Sequence, residues 1–448
     1  MKIIHEFRDP IHAFVKVTTE ERKIIDSKPF QRLRNINQLA LTCLIYPGAT
    51  HKRFEHSLGV MQLASTIYDI LLSPSSVHPD IKRADFLPLG SKREYWRAVL
   101  RAAALCHDLG HLPFSHAAEE ELLPDGWTHE RMTLEIIKSS EVRQIFEEMT
   151  PPLNIAHVIK IAVGPREMAK IDKNIRYDDW EALLAEIIVG DIFGADRIDY
   201  LLRDSHHAGV AYGRFDHYRL IDTLRILPFD NSSSPKGDEA IHEKRPCLGI
   251  EAGGLHSAEA LLLARYFMFT QLYYHEIRRI YDKHLNDYLK KMFPCRFPIN
   301  VEDYLQISDN EILSAIYKDA RDKKSGLHKN ASLIACREHF KLLYQRIPED
   351  ETLSLSPGLS IYKAACKKYG EDNCKLDNPA SKNSGPANFP VLIDPEKVVS
   401  AVGYSQVLDH IPRPIIDFVF ISREHYNEAE KWLEKNREGI LKEGPVDD

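Results

Sequence analysis

The sequence lacks any run of about eighteen apolar residues, the length a membrane-spanning helix needs. Its opening stretch, MKIIHEFRDPIHAFVKV, has no long apolar core of the kind that marks a secretory signal. Its seven cysteines are scattered, at 43, 106, 247, 295, 336, 366 and 374, and none forms a CxxC pair. That set argues against a disulfide framework or a zinc knot and fits reduced thiols in a cytoplasmic protein. Positive charge is in deficit as well: 59 Lys and Arg stand against 66 Asp and Glu, a net charge of −7. The chain as a whole therefore carries no basic footprint for nucleic acid. No internal repeat is visible.

What is present reads as an ordinary globular chain. At 448 residues, with 28% charged and 44% hydrophobic, it can bury a large core in two or more structural units. Residues 20–46 and 56–73 carry apolar positions at helical spacing, split by the turn YPGATHKR. YWRAVLRAAALCHDLG predicts another helix, ending at Gly110. WEALLAEIIVGDIFGADRIDYLLRDSHHAG reads as helix, break, helix. The longest helical pattern is SAEALLLARYFMFTQLYYHEIRRIYDKHLNDYLKKMF, with Ser257 as a plausible N-cap. Between these lies LRILPFDNSSSPKGDEAIHEKRPCLGIEAGG, a predicted hairpin with a polar tip around 230–238. FPVLID and PIIDFVFIS predict strands near the C-terminus, preceded by a polar linker near 375–390. The expected fold is mainly α: a helical core over 1–290 with a small hairpin insertion, then a smaller α+β region over 291–448.

One short stretch concentrates chemistry. CHDLGHLPFSH, residues 106–116, holds three histidines and an aspartate. A divalent cation acting on phosphate needs imidazoles and carboxylates, with positions left open for water and substrate. His107 and Asp108 diverge on a regular helix, so they share a cation only if other groups complete the cage. His56, in RFEHSLGV, and Asp196, in GADRIDYLLRD, are candidates. Singly each residue is unremarkable, since an HD dipeptide arises by chance in a chain with 21 histidines.

Jointly the order H…HD…D resembles the HD phosphohydrolase superfamily. The blocks DPIHAFV, FQRLRNINQLALTCLIYPGATHKRFEHSLGVMQLA, HDLGHLPFSH, WTHE, ADRIDYLLRDSHHAG and RYFMFTQLYYHE occur in one order over residues 5–285. Together they resemble the deoxynucleoside triphosphate triphosphohydrolases. Only a few residues precede DPIH, so no SAM domain is expected ahead of it.

The resemblance implies that His56, His107, Asp108 and Asp196 hold a divalent metal ion (Mn, Fe, Mg or Zn). It implies that His116 gives a proton to the leaving 5′-oxygen, oriented by Glu119, with His111 and His129 as further catalytic histidines. Arg53 and Arg197 would face phosphate. Tyr200 and Asp204, one turn apart, would contact the sugar with Tyr273, Gln38 and Leu39, and Leu39 against C2′ would favour deoxyribose. Core packing is the competing reading for Leu39 and Tyr273, and a solvated acidic helix face for Glu119. Asp26, Gln31 and Arg34 stand where relatives hold a regulatory nucleotide between subunits, which implies a homo-oligomer (dimer, tetramer or hexamer). Upstream, His5 and Arg8 depart from the family pattern.

The expected reaction is dNTP plus water giving deoxynucleoside plus triphosphate, with a nucleotide as substrate and possible effector. Two alternatives stay open: an HD phosphohydrolase acting on a ribonucleotide, a signalling nucleotide or a nucleic-acid end, and a non-catalytic nucleotide-sensing scaffold.

Overall fold

The computed structural model describes residues 4–81, 86–115, 119–229, 244–378, 387–412 and 414–444. The fold is mainly α, built around the helix Arg53–Leu71. Its residues His56, Ser57, Leu58, Gly59, Val60, Met61, Leu63 and Ala64 are all buried, so nearly every face of this helix is covered. A helix apolar on all sides belongs at a core's centre. It packs on Ser91–Cys106 and Ala195–Ala208, and Asp179–Val189 lies against it as well.

Among the described residues, three sheets accompany this helical core. Strand β1 (Ile4–Asp9) pairs antiparallel with β2 (Ala13–Thr18). Strands β3 (Leu224–Phe229) and β4 (Arg245–Glu251) form the hairpin expected from the sequence; its expected tip lies outside the described residues. Two C-terminal strands, β7 (Pro390–Asp394) and β8 (Lys397–Ser400), extend that sheet, with β7 parallel to β4. The third sheet has the order β5 (Lys341–Gln345), β9 (Phe418–Ile421), β6 (Cys374–Asp377) and carries the helices Pro357–Tyr369 and Tyr426–Glu443.

Two helical readings change in detail. The pattern over 20–46 divides into Thr19–Asp26, Lys28–Arg32 and 3₁₀ turns, because Pro29 can only open a helix and Ser27 breaks the first one. The longest pattern starts at Leu255 with Gly254 as its cap, so Ser257 sits within the first turn. A π-turn at Phe269–Tyr273 interrupts it, and it restarts at Glu276, where the His275 side chain accepts from the Ile277 amide. That interruption aims Tyr273 inward at the cleft described next.

Candidate metal centre and substrate cleft

Three helix ends converge. His56 comes from the first turn of Arg53–Leu71, His107 and Asp108 follow the end of Ser91–Cys106, and Asp196 lies in the first turn of Ala195–Ala208. His56, His107 and Asp108 can each offer one ligand atom, all within 4.8 Å of one another. The His56 Nε2 is 3.0 Å from Asp196 Oδ1 and 3.7 Å from Asp108 Oδ2. The His107 Nε2 is 3.3 Å from Asp108 Oδ1 and 3.8 Å from Asp196 Oδ1.

The imidazole tautomers follow from the far side of each ring. The His107 Nδ1 is 2.8 Å from the Ala104 carbonyl, which can only accept, so Nδ1 carries the hydrogen. In the neutral ring the lone pair then sits on Nε2, which is buried and has no hydrogen-bond partner among the described residues. A lone pair facing two carboxylates is repulsive until a cation lies between them. The residues therefore fit a divalent metal ion. Burial opposes charge on His56, yet Asp196, Asp199 and Asp108 raise it to about 10. Burial also opposes charge on Asp108 and Asp196, yet Arg53 and the histidines hold Asp108, and His107 and His56 hold Asp196, well below the usual carboxylate range.

The support behind these residues was not foreseen from the sequence. The His56 Nδ1 donates to Asp199 Oδ2 at 2.8 Å. Asp199 also meets His12 Nε2 at 2.6 Å and Arg203 Nε at 2.8 Å, and Arg203 Nη1 donates to Asp9 Oδ2 at 2.8 Å. All five side chains are buried or nearly so, which makes this a fully paired polar network in the core. Gly59 leaves room for it: a Cβ there would fall 2.0 Å from Asp199 Oδ1.

Beside the four residues lies a histidine pair. His111 and His129 stack with ring centroids 4.0 Å apart. His129 Nδ1 is 2.7 Å from Glu119 Oε1, and its Nε2 is 3.3 Å from Glu130 Oε1. Burial works against charge on both rings. Glu119 and Glu130 nonetheless raise His129 to about 9, whereas burial, Arg53 and His129 lower His111. The two stacked rings are thus shifted in opposite directions, His129 towards its charged form and His111 towards its neutral one. The close approach needs Gly110, where a Cβ would fall 2.1 Å from the His129 carbonyl. His116 lies outside the described residues.

A cleft of about 760 Å³ opens over this cluster. Gln38, Leu39, Arg53, His107, Asp108, His111, His129, Asp196, Arg197, Tyr200, Asp204 and Tyr273 line it, whereas His56 and Glu119 do not. Asp204 is buried and accepts the Tyr273 hydroxyl at 2.7 Å, while His51 Nε2 lies 2.6 Å from its other oxygen. Tyr200 meets the Tyr273 ring edge-on, with centroids 6.2 Å apart. Arg53 bridges Asp108 and the Ser115 hydroxyl. Arg197 donates to the Gly190 carbonyl and to Asp191 Oδ1, at 2.9 and 2.6 Å. Leu39 is 7% exposed, so it faces core and cleft together.

Asp26, Gln31 and Arg34 do not line this cleft. Asp26 pairs with Arg22 on the surface. Gln31 donates to the Ile25 carbonyl and accepts from Arg34, whose guanidinium sits over the Phe54 ring, 3.5 Å from its centroid. Beyond that network, His51 and Arg278 also escaped the sequence reading. His51 stands in the quoted YPGATHKR turn, and its spacing from a carboxylate gave no clue to a contact 153 residues away.

A helical core that gathers two histidines and two aspartates from three helix ends defines a metal-centred phosphohydrolase fold of the HD type. The chain belongs to the HD-domain family: residues 53–201 match the HD domain, and residues 215–346 match the HD associated region. It is 32% identical to an uncharacterized protein of Methanocaldococcus jannaschii, over 79% of this chain and 65% of that one. It is 32% identical to the uncharacterized protein YwfO of Bacillus subtilis, over 68% of this chain and 64% of that one. It is 31% identical to the Homo sapiens deoxynucleoside triphosphate triphosphohydrolase SAMHD1, over 72% of this chain and 53% of that one. The chain thus spans between about half and two thirds of these relatives' lengths. A crystal structure of a hypothetical protein from Aquifex aeolicus superimposes with a TM-score of 0.75 at 30% identity, covering 96% of this chain and all of that one. No helix among the described residues is long and apolar enough to cross a membrane.

Proposed function

We propose that this protein hydrolyses deoxynucleoside triphosphates to deoxynucleoside and triphosphate. The observation that carries the reading is the shared cleft: His107, Asp108 and Asp196, with His56 3.0 Å from Asp196 behind them, line the same cavity as Tyr200, Asp204 and Tyr273. A bound divalent metal ion would polarise a phosphoryl oxygen and lower the pKa of an attacking water. Named for that role are the Nε2 atoms of His56 and His107 and the carboxylates of Asp108 and Asp196.

The rest is assigned to the chain's own groups. Arg53 neutralises phosphate charge while held by Asp108 and Ser115. Arg197 is a second phosphate contact, and must exchange its Asp191 partner to make it. His129, whose charged form Glu119 and Glu130 favour, holds a further phosphoryl oxygen with His111 stacked beside it. His116 donates the proton that the departing 5′-oxygen needs. Asp204 accepts from a sugar hydroxyl, and Leu39 with Tyr273 closes on the ribose face against a 2′-hydroxyl. Similarity to SAMHD1 supports this substrate class over other HD substrates. We extend the proposal to a homo-oligomer in which Asp26, Gln31 and Arg34 take up an effector nucleotide.

The test is Asp196→Ala, with His107→Ala/Asp108→Ala as a second variant, assayed on a panel of nucleotides. Both are expected to lose bound metal and turnover together. Wild-type turnover by a metal-free variant would overturn the assignment. His116→Ala is expected to keep metal and nucleotide binding and lose about 10²–10⁴-fold in rate.

A further inference from the structure

The loop that follows His107 and Asp108 is held from the far side by a segment of the HD associated region. The Tyr304 hydroxyl donates to the Gly110 carbonyl at 2.6 Å. Arg32, buried, donates to the Ile307 carbonyl and to the His111 carbonyl, at 2.9 Å each. Asp309, fully buried, accepts the Phe114 amide on Oδ1 and the Asn37 amide on Oδ2, at 2.8 Å each. Asp309 opens the helix Asp309–Arg321, but that helix is capped by Ser308 with Glu311, so the Asp309 carboxylate is left for the two loops.

Both loops carry backbone that resists its own conformation. Phe114 and Ser115 have φ of 57° and 58°, and Ala40, three residues after Asn37, has φ of 47°. Side-chain-bearing residues in this left-handed region persist only where the surroundings hold them, and they cluster at working sites. The two loops are also tied to each other, since the Ser115 hydroxyl donates to the Asn37 carbonyl at 3.1 Å. Ser115 in turn receives Arg53, the partner of Asp108. A buried carboxylate is a costly way to satisfy two amides unless its placement matters, and burial pushes Asp309 up to about 6 despite both amides.

We infer that Tyr304–Asp309 is a clamp that sets the catalytic geometry of the 110–115 and 36–40 loops, with Asp309 as its positioning residue. The inference rests on the reading of the cleft as catalytic. Asp309 and Tyr304 do not line the cleft, so neither touches substrate. What the clamp sets is the placement of Gln38 and Leu39 in the second loop, and of Arg53 through Ser115.

The experiment uses the full chain loaded with Mn²⁺ and compares Asp309→Asn and Tyr304→Phe with wild type. The amide variant keeps one acceptor oxygen, and the phenylalanine keeps the ring, so both variants retain the packing. Asp309→Asn is expected to lower kcat by about tenfold or more, the worth of one buried hydrogen bond to a charged group, with bound Mn²⁺ per chain unchanged and KM within about threefold. Tyr304→Phe is expected to lower kcat by a smaller factor in the same direction. Amide hydrogen exchange without nucleotide supplies the second readout: 36–40 and 110–115 are expected to exchange faster in Asp309→Asn, and 53–71 to stay as in wild type. Wild-type kcat in Asp309→Asn overturns the inference, as does faster exchange with no loss of kcat, or a loss matched by lost Mn²⁺. If wild type cleaves no dNTP, the substrate reading fails, and the same kcat comparison is made on bis(4-nitrophenyl) phosphate.

Discussion

His56 Nδ1 lies 2.8 Å from Asp199 Oδ2, and this contact decides which nitrogen of the ring faces the cluster. With its Nδ1 hydrogen committed to Asp199, His56 presents Nε2 to Asp108 and Asp196. Carboxylates behind metal-bound histidines typically carry about 10–100-fold of the metal affinity. Asp199→Asn is therefore predicted to weaken Mn²⁺ binding by about that factor while Asp196 and His107 stay in place. Titration of the metal-stripped protein followed by calorimetry measures it, and an unchanged Kd would remove Asp199 from the account.

Gly59 tests the same contact from another helix. On helix propensity alone, Gly→Ala inside Arg53–Leu71 would stabilise by about 1 kcal/mol. A Cβ at this position would instead lie 2.0 Å from Asp199 Oδ1 and 2.4 Å from Arg203 Nη2. Gly59→Ala is predicted to lower the Tm and the bound metal together. A thermal melt that rises would show that the network can shift aside at no cost.

Tyr273→Phe separates binding from turnover at the sugar end. The change leaves the buried Asp204 with His51 as its remaining partner of the two and loosens the acceptor proposed for a sugar hydroxyl. The predicted outcome is a KM raised by about tenfold with kcat changed much less, the cost of one charged hydrogen bond being of that order. Steady-state kinetics on one dNTP suffices. A kcat loss at unchanged KM would place Tyr273 nearer the reacting atoms.

His284 governs acid stability. Its ring is buried, its Nε2 accepts the Phe340 amide at 3.1 Å, and burial, Lys375 and His339 lower it to about 3. Folded His284 is neutral, whereas the unfolded residue protonates near its ordinary value, so stability is full above about pH 6.5 and is lost as pH falls towards 3. Between pH 7 and 4.5 this one residue is predicted to cost on the order of 2–3 kcal/mol. His284→Gln, which keeps an acceptor for Phe340, is predicted to flatten that slope in denaturant melts at the two pH values. Parallel slopes for both proteins would refute it.

The legible part of this site was the part written in short words. RFEHS, CHDLGH and ADRIDY each place a ligand candidate at a helix end, and the helices themselves follow from 3.6-residue periodicity. The supports were not legible, because they depend on pairing across the fold: His12 meets Asp199 over 187 residues, and Asp309 reaches Phe114 over 195. Asp309 in QISDNEIL reads as an ordinary helix start, and nothing local distinguishes its two distant amides from the usual cap. The hairpin β1–β2 was missed because IHEFRD and AFVKVT are short and only loosely alternating. The β4–β7 pairing joins residues 141 apart across the fold, such as Ile250 with Val391, and parallel register leaves no turn signal.

The central claim is that the four-residue cluster cleaves between the 5′-oxygen and the α-phosphorus of a deoxynucleoside triphosphate. Phosphorus-31 spectroscopy of the products, from each dNTP incubated with metal-loaded wild type and with Asp196→Ala as control, tests it most directly. The account predicts inorganic triphosphate and deoxynucleoside in equal amounts from wild type and no product from the variant. Diphosphate with a deoxynucleoside monophosphate, or orthophosphate with a diphosphate, would contradict it.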